Sequence, residues 1–146
     1  MPIEAFDRMF PAIAKAEAMM VVVPEESDVP PGNYWLRECY CTAAPCDCRR
    51  VILHIIPLTI PPPTVVATVS FGWEEPEYYK DLYTYETAPF MAGVNLPHSV
   101  AQGPLASSFL IIFKQIIPDQ KLVAAFKRHY RLVKEKVKAR SFPIRN

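Results

Sequence analysis

All four cysteines of this chain fall within ten residues, Cys39-Tyr40-Cys41-Thr42-Ala43-Ala44-Pro45-Cys46-Asp47-Cys48, as two Cys-x-Cys pairs four residues apart. The run lies between two stretches rich in Val, Ile, Tyr and Trp, residues 34–41 and 49–57, which read as strands. So short a connection permits only an antiparallel hairpin. Any fold for this sequence must therefore set a cysteine-rich loop at the end of a hairpin.

The remaining elements follow from periodicity and from proline. Residues 51–56 (Val-Ile-Leu-His-Ile-Ile) are apolar on both faces, as a central strand requires. A third strand over 65–71 returns after the prolines at 61–63, which gives a three-stranded meander. Residues 74–83 read as a short helix with acids at its start, where they suit the macrodipole. Residues 84–103 are irregular. From Pro104, Leu105, Phe109, Ile112, Phe113 and Ile116 form one helical stripe; Leu122, Phe126, Tyr130, Val133 and Val137 form another after Pro118-Asp119. The expected class is α+β: a three-stranded antiparallel meander with a cysteine-rich, zinc-binding hairpin loop, packed against C-terminal helices.

Upstream, residues 3–20 carry apolar positions at helical spacing, interrupted by Pro11, and residues 24–32 are acidic and proline-rich. Residues 1–32 are therefore expected to be an N-terminal helical extension with a linker, and residues 33–146 a single α+β domain. A helix of that kind needs a partner surface, either its own domain or another subunit, and a protein partner or a homodimer through residues 3–20 is expected.

Composition narrows the class of function. A net charge of +1 gives no global field to recruit nucleic acid or a membrane. Sixteen prolines against four glycines suggest stiff loops and not a flexible glycine-lined pocket. The N-terminus lacks the basic start and apolar core of a signal peptide, and the apolar run 18–23 is too short to span a bilayer. A cytoplasmic location follows as the expectation, and in a reducing compartment clustered cysteines act as metal ligands more often than as disulfides.

Strand geometry divides the four thiols unequally. Cys39 and Cys41 share a face, as do Cys46 and Cys48, but two residues along a strand span about 6.6 Å. Zinc–sulfur bonds in a tetrahedron hold sulfurs about 3.8 Å apart. Cys41 and Cys46 flank the turn, and Cys48 joins them if the chain leaves strand geometry near Asp47, which leaves Cys39 out. A fourth ligand must then come from elsewhere. His54 is about 20 Å along the strand from Cys48 if extended, too far to reach. His98 lies in a loop of undefined reach. His129 falls on the apolar stripe of the last helix, so it faces the sheet, as a ligand or as a hydrogen-bonded core residue.

The residues Tyr40-Cys41, Cys46-Asp47-Cys48-Arg49-Arg50-Val51, Phe71-Gly72-Trp73-Glu74 and Arg128-His129-Tyr130 resemble an uncharacterised family of small bacterial proteins. Its recurring features are Tyr-Cys-x4-Cys-Asp-Cys-Arg-Arg-Val, Tyr-Gly-Trp-Glu and a late Arg-His-Tyr, across residues 33–137; Phe71 departs from its Tyr. The resemblance implies no activity. Its pattern maps onto Cys41, Cys46, Cys48 and His129 as a site of three cysteines and one histidine, with one structural zinc per chain.

Other readings are open at this point. The thiols can be reduced core residues, can form Cys41–Cys46 and Cys39–Cys48 disulfides, or can hold an iron–sulfur cluster at an unusual spacing. An open zinc position would permit hydrolysis with Asp47 or Glu74 as base. Residues 119–146 carry nine Lys and Arg against two acids, a solvated helix face or a weak nucleic-acid surface through Arg128 and Arg131. Arg49 and Arg50 are expected to offset thiolate charge. The aromatic group Trp73, Tyr78, Tyr79, Tyr83 and Tyr85 is expected to pack under the helices.

Overall fold

Alternation and β-branched content place the central strands close to where the sequence sets them. In the computed structural model, which describes residues 2–59 and 61–141, β3 (Gly32–Cys41), β4 (Arg50–Pro57) and β5 (Ala67–Gly72) form consecutive antiparallel pairs. The meander is not the whole sheet. The described residues form six strands: β1 (Ile3–Ala5) and β2 (Met19–Val23) both pair with the free side of β3, and β6 (Gly93–Asn95) extends the sheet beyond β5. All pairs are antiparallel.

The largest correction concerns residues 3–20. The expected helix is replaced by β1, a one-turn helix α1 (Phe6–Met9), α2 (Pro11–Ala16) and then β2. Pro11 occupies the first turn of α2, where its missing N–H costs nothing. The two strands share one edge: β1 pairs with the Cys39 end of β3 and β2 with the Gly32 end. The helical residues between them leave that edge and dip into the core. Phe6 is buried there, stacked on His129 at 4.2 Å and edge-on to Tyr40 at 6.0 Å. Residues 24–31 form the connection that links β2 to β3, and Gly32 already pairs with Val23, so backbone pairing runs across the boundary expected at residue 32.

Downstream, the helices match the stripes. They are α3 (Pro76–Lys80), α4 (Ala106–Ile116) and α5 (Gln120–Ser141). Asp119 caps α5, its Oδ1 accepting from the backbone N–H of Lys121 (2.9 Å) and Leu122 (3.3 Å). Helices α4 and α5 cover one face of the sheet, where Tyr34 meets Phe109 and Phe71 meets Phe126 within a single core that also holds Leu36, Val51, Leu53, Ile55 and Val69. The opposite face carries Arg50, Ile52 and His54 of β4 and is partly roofed by the segment 83–99. No helix among the described residues is long and apolar enough to cross a membrane. Arg145 of the basic C-terminal run lies outside the described residues.

Because Phe6 is fully enclosed between His129, Tyr40 and Phe10, truncation leaves a cavity as well as losing transfer energy. Phe6→Ala should destabilise the protein by about 3–5 kcal/mol in urea unfolding, with a single transition. A change below about 1 kcal/mol would mean that the N-terminal segment is not part of the core.

Candidate metal centre

The cysteine loop is shaped by where β3 and β4 part. Their pairing ends at Cys39–Ile52, so Tyr40 and Cys41 are held by β1 alone and residues 42–49 are free of strand geometry. A turn then reverses the chain, with Cys46 N–H donating to the Ala43 carbonyl at 3.1 Å. Residues 47–49 are fixed by tyrosines from two helices. Tyr130 of α5 donates to Asp47 Oδ1 (2.7 Å) and accepts from Arg49 N–H (3.1 Å). Tyr78 donates to the Asp47 carbonyl (2.5 Å) and Tyr79 to the Arg49 carbonyl (3.0 Å). So held, Arg49 takes a left-handed φ of 47°, unusual for a side chain of its size.

The result is the departure from strand geometry that the sequence required. The sulfurs of Cys41, Cys46 and Cys48 lie within 4.8 Å of one another, Cys41 and Cys48 buried and Cys46 half-buried. Three soft sulfur donors at this separation can hold a metal ion. A tetrahedral site needs them about 1 Å closer at most. All four cysteines are free thiols. Cys39 stands apart from the group, its Sγ 3.8 Å from His54 Nδ1, and burial pushes its thiol up to about 11.

Within the trio, one sulfur is prepared as a thiolate. The Cys48 thiol donates to Cys41 and, with help from the Ala43 backbone and the Lys134 ammonium, outweighs burial to bring Cys41 down to about 5. Cys48 rises because it is the donor and is buried; Cys46 rises through burial and the neighbouring Cys41 charge. Lys134 is itself buried, its Nζ 3.2 Å from the Ala43 carbonyl and 5.4 Å above the Tyr130 ring. Sequence reasoning assigned it to the solvated face. The available signal was its position four residues after Tyr130, on the flank of the apolar stripe.

His129 does not join the three sulfurs. It is fully buried, as its stripe position demanded, but both ring nitrogens face carboxylates: Nδ1 lies 2.7 Å from Glu38 Oε1 and Nε2 3.2 Å from Glu17 Oε1. Glu38 also accepts from Tyr40 Oη at 2.5 Å, and Arg128 pairs with Glu17. The sequence did signal Glu38, an acid on the core-facing register Tyr34, Leu36, Glu38, Tyr40. His98 does not join the trio either; it lies tilted against Phe90 at 4.8 Å on the other side of the sheet.

The neighbouring charges are also redistributed. Arg49 pairs with Asp47 (3.0 Å) and Glu74 (3.3 Å) and lies over Tyr78, so both candidate bases are bound to one guanidinium. Although burial opposes it, the bonds from Arg49 and Tyr130 hold the Asp47 carboxyl below its ordinary range. Arg50 points to the opposite face and does not serve the thiolates. Of the aromatic group, Tyr79 is buried as expected and Tyr85 is almost wholly exposed. Gly72 is required beside Tyr79: a Cβ there would run into the Tyr79 hydroxyl and the Met91 carbonyl.

Compared with family models, with curated proteins and with solved structures, the chain matches none.

For His129, burial pulls the pKa down, but the hydrogen bonds and charges of Glu38 and Glu17 outweigh it and the net shift is upward from 6.5. A raised folded pKa stabilises the fold fully below the unfolded value, and that contribution is lost as pH rises through the folded value. The His129 ring should titrate above 6.5 by NMR, with stability falling across that same interval and the fall absent in His129→Gln. A midpoint below 6.5 would contradict the charged pair.

Proposed function

We propose that Cys41, Cys46 and Cys48 bind one zinc ion per chain and that the ion is structural, making the protein a zinc-stabilised interaction module. The carrying observation is the convergence of three sulfurs within 4.8 Å on a loop otherwise fastened to α5 and α3. Thiolates favour zinc among common divalent ions, and three thiolates favour a structural ion over a hydrolytic one. Three thiolates and Zn2+ leave one net negative charge, which the buried Lys134 ammonium offsets. Bound there, the ion would tie the end of β3 to the approach of β4 and so add its binding energy to folding.

The interaction role draws support from the outer edge of β2, which pairs only with β3 and exposes Met20 and Val22. A protein partner or a second copy seated along the N-terminal segment fits that edge. A reducing, cytoplasmic setting suits four free thiols. Membership of the small bacterial family rests on Tyr40-Cys41 and Cys46-Asp47-Cys48-Arg49-Arg50-Val51, with Gly72-Trp73-Glu74 and Arg128-His129-Tyr130 in support.

One observation favours a second reading, metal-dependent catalysis. Among the described residues no fourth His, Cys, Asp or Glu completes the trio, and Cys46 borders a groove of about 460 Å3 with Arg49, Lys127, Arg131 and Lys138. The fourth position would then take an exogenous anion or water. The same basic rim is what supports nucleic-acid binding, which salt would weaken.

Purified protein should carry about one zinc per chain by metal analysis, as a three-cysteine site requires. Cys41→Ser, Cys46→Ser and Cys48→Ser should each lose most of it, and Cys39→Ser should keep it. With Cys41 ionised and the other two protonated at pH 7, loading the apo-protein should release about two protons per ion in calorimetry across buffers of different ionisation enthalpy. Zinc well below one per chain after growth in zinc-replete medium sinks the reading.

A further inference from the structure

The face of the sheet turned away from the helices encloses a chamber of about 440 Å3 between β4, β5 and the segment 83–99. Its size lies in the range of small-molecule sites, about 300–1,000 Å3. Ile52, Phe90, Met91 and Leu96 supply an apolar lining. At its floor lies Arg50, about nine-tenths buried. The guanidinium has one distant neighbour, the Tyr83 hydroxyl at 3.5 Å from Nη1, and its Nε is the single buried side-chain polar atom without a hydrogen-bond partner among the described residues. The ion pairs among those residues engage Arg37, Arg49, Lys80, Arg128 and Arg140, and not Arg50.

A buried cation without a counter-ion is unfavourable for folding, and an unbonded guanidinium edge adds to that. Proteins rarely keep such a group unless something meets it. Arginine presents paired donors in a plane that matches a carboxylate bidentately. We propose that this chamber binds a small monocarboxylate with an apolar body, the carboxylate on the Arg50 guanidinium and the body against Ile52, Phe90 and Leu96. One buried arginine in a chamber whose surface is mostly apolar, with Ser70, Tyr83, Thr87, His98 and Ser99 as its neutral or titratable polar groups, matches a single negative charge on a hydrocarbon frame. The other ionised group on the lining is Glu86, which is exposed, and its charge works against an entering anion. None of the three cysteines lines the chamber, and the site does not depend on the metal reading.

The test is titration of the full chain as purified with octanoate, with 1-octanol as the uncharged match and inorganic phosphate as the anion without an apolar body, followed by amide NMR. Octanoate should bind saturably, shifting amides of residues 50–52, 70 and 83–99, at least about tenfold more tightly than 1-octanol, with phosphate leaving those amides unmoved. Arg50→Gln should weaken octanoate about tenfold or more, and Glu86→Gln should tighten it. Should Arg50→Gln fail to fold, Leu96→Trp fills the chamber from the loop side and should abolish the shifts. Equal binding of octanoate and 1-octanol overturns the proposal. So do shifts that map elsewhere, or an octanoate affinity indifferent to Glu86→Gln and Leu96→Trp.

Discussion

The backbone of residues 47–49 is held by three tyrosine hydroxyls, and most of the architecture around the cysteines depends on that restraint. Tyr130 reaches it from α5, Tyr78 and Tyr79 from α3, and between them they satisfy the Arg49 N–H and the carbonyls of Asp47 and Arg49. A loop that would otherwise continue the hairpin is bent into a left-handed residue at Arg49 and carries Cys48 back beside Cys41. The close approach also explains Gly72, which leaves Tyr79 room to reach the loop across the end of β5. Without these bonds, regular strand spacing would keep the sulfurs too far apart to share an ion.

A second buried polar group works independently a short distance away. Glu38, Tyr40 and His129 lie within the core and satisfy one another, closed on the solvent side by Glu17 and Arg128. Such a network specifies how α5 sits on β3, because a shift of the helix would leave a buried carboxylate unpaired, at a cost of several kcal/mol. Phe6 stacks on the same imidazole and brings the N-terminal segment into the arrangement. The last helix is thus fastened to the sheet twice: by a carboxylate–imidazole pair within the core and by Tyr130 and Lys134 at the cysteine loop.

The parts of the fold legible in the sequence are those decided by local period. The strands β3, β4 and β5 and the stripes of α4 and α5 follow from alternation and helical spacing, and the choice of three cysteines out of four follows from strand rise. The N-terminal segment was not legible for a physical reason. Phe6, Met9, Phe10 and Ile13 have helical spacing because α1 and α2 are helical, but flanking apolar residues of β1 and β2, Ile3 and Met20 among them, extend that pattern without a break, and pairing with a distant edge of β3 overrides it. His129 was correctly placed in the core and drawn toward the wrong neighbour, since spacing fixes which face a residue occupies and not which acid stands opposite. Arg50 escaped for a related reason: adjacency to Cys48 in sequence implies proximity, whereas alternation along β4 sends its side chain to the other face.

The proposed gathering of three thiolates around one zinc ion, with Cys39 and His129 serving other parts of the fold, is read without intermediaries by X-ray absorption at the zinc edge of the loaded protein. Three sulfur neighbours at about 2.3 Å, a single lighter atom and no imidazole scattering are expected, unchanged in Cys39→Ser. Imidazole scattering lost in His129→Gln, or a fourth sulfur lost in Cys39→Ser, would contradict it.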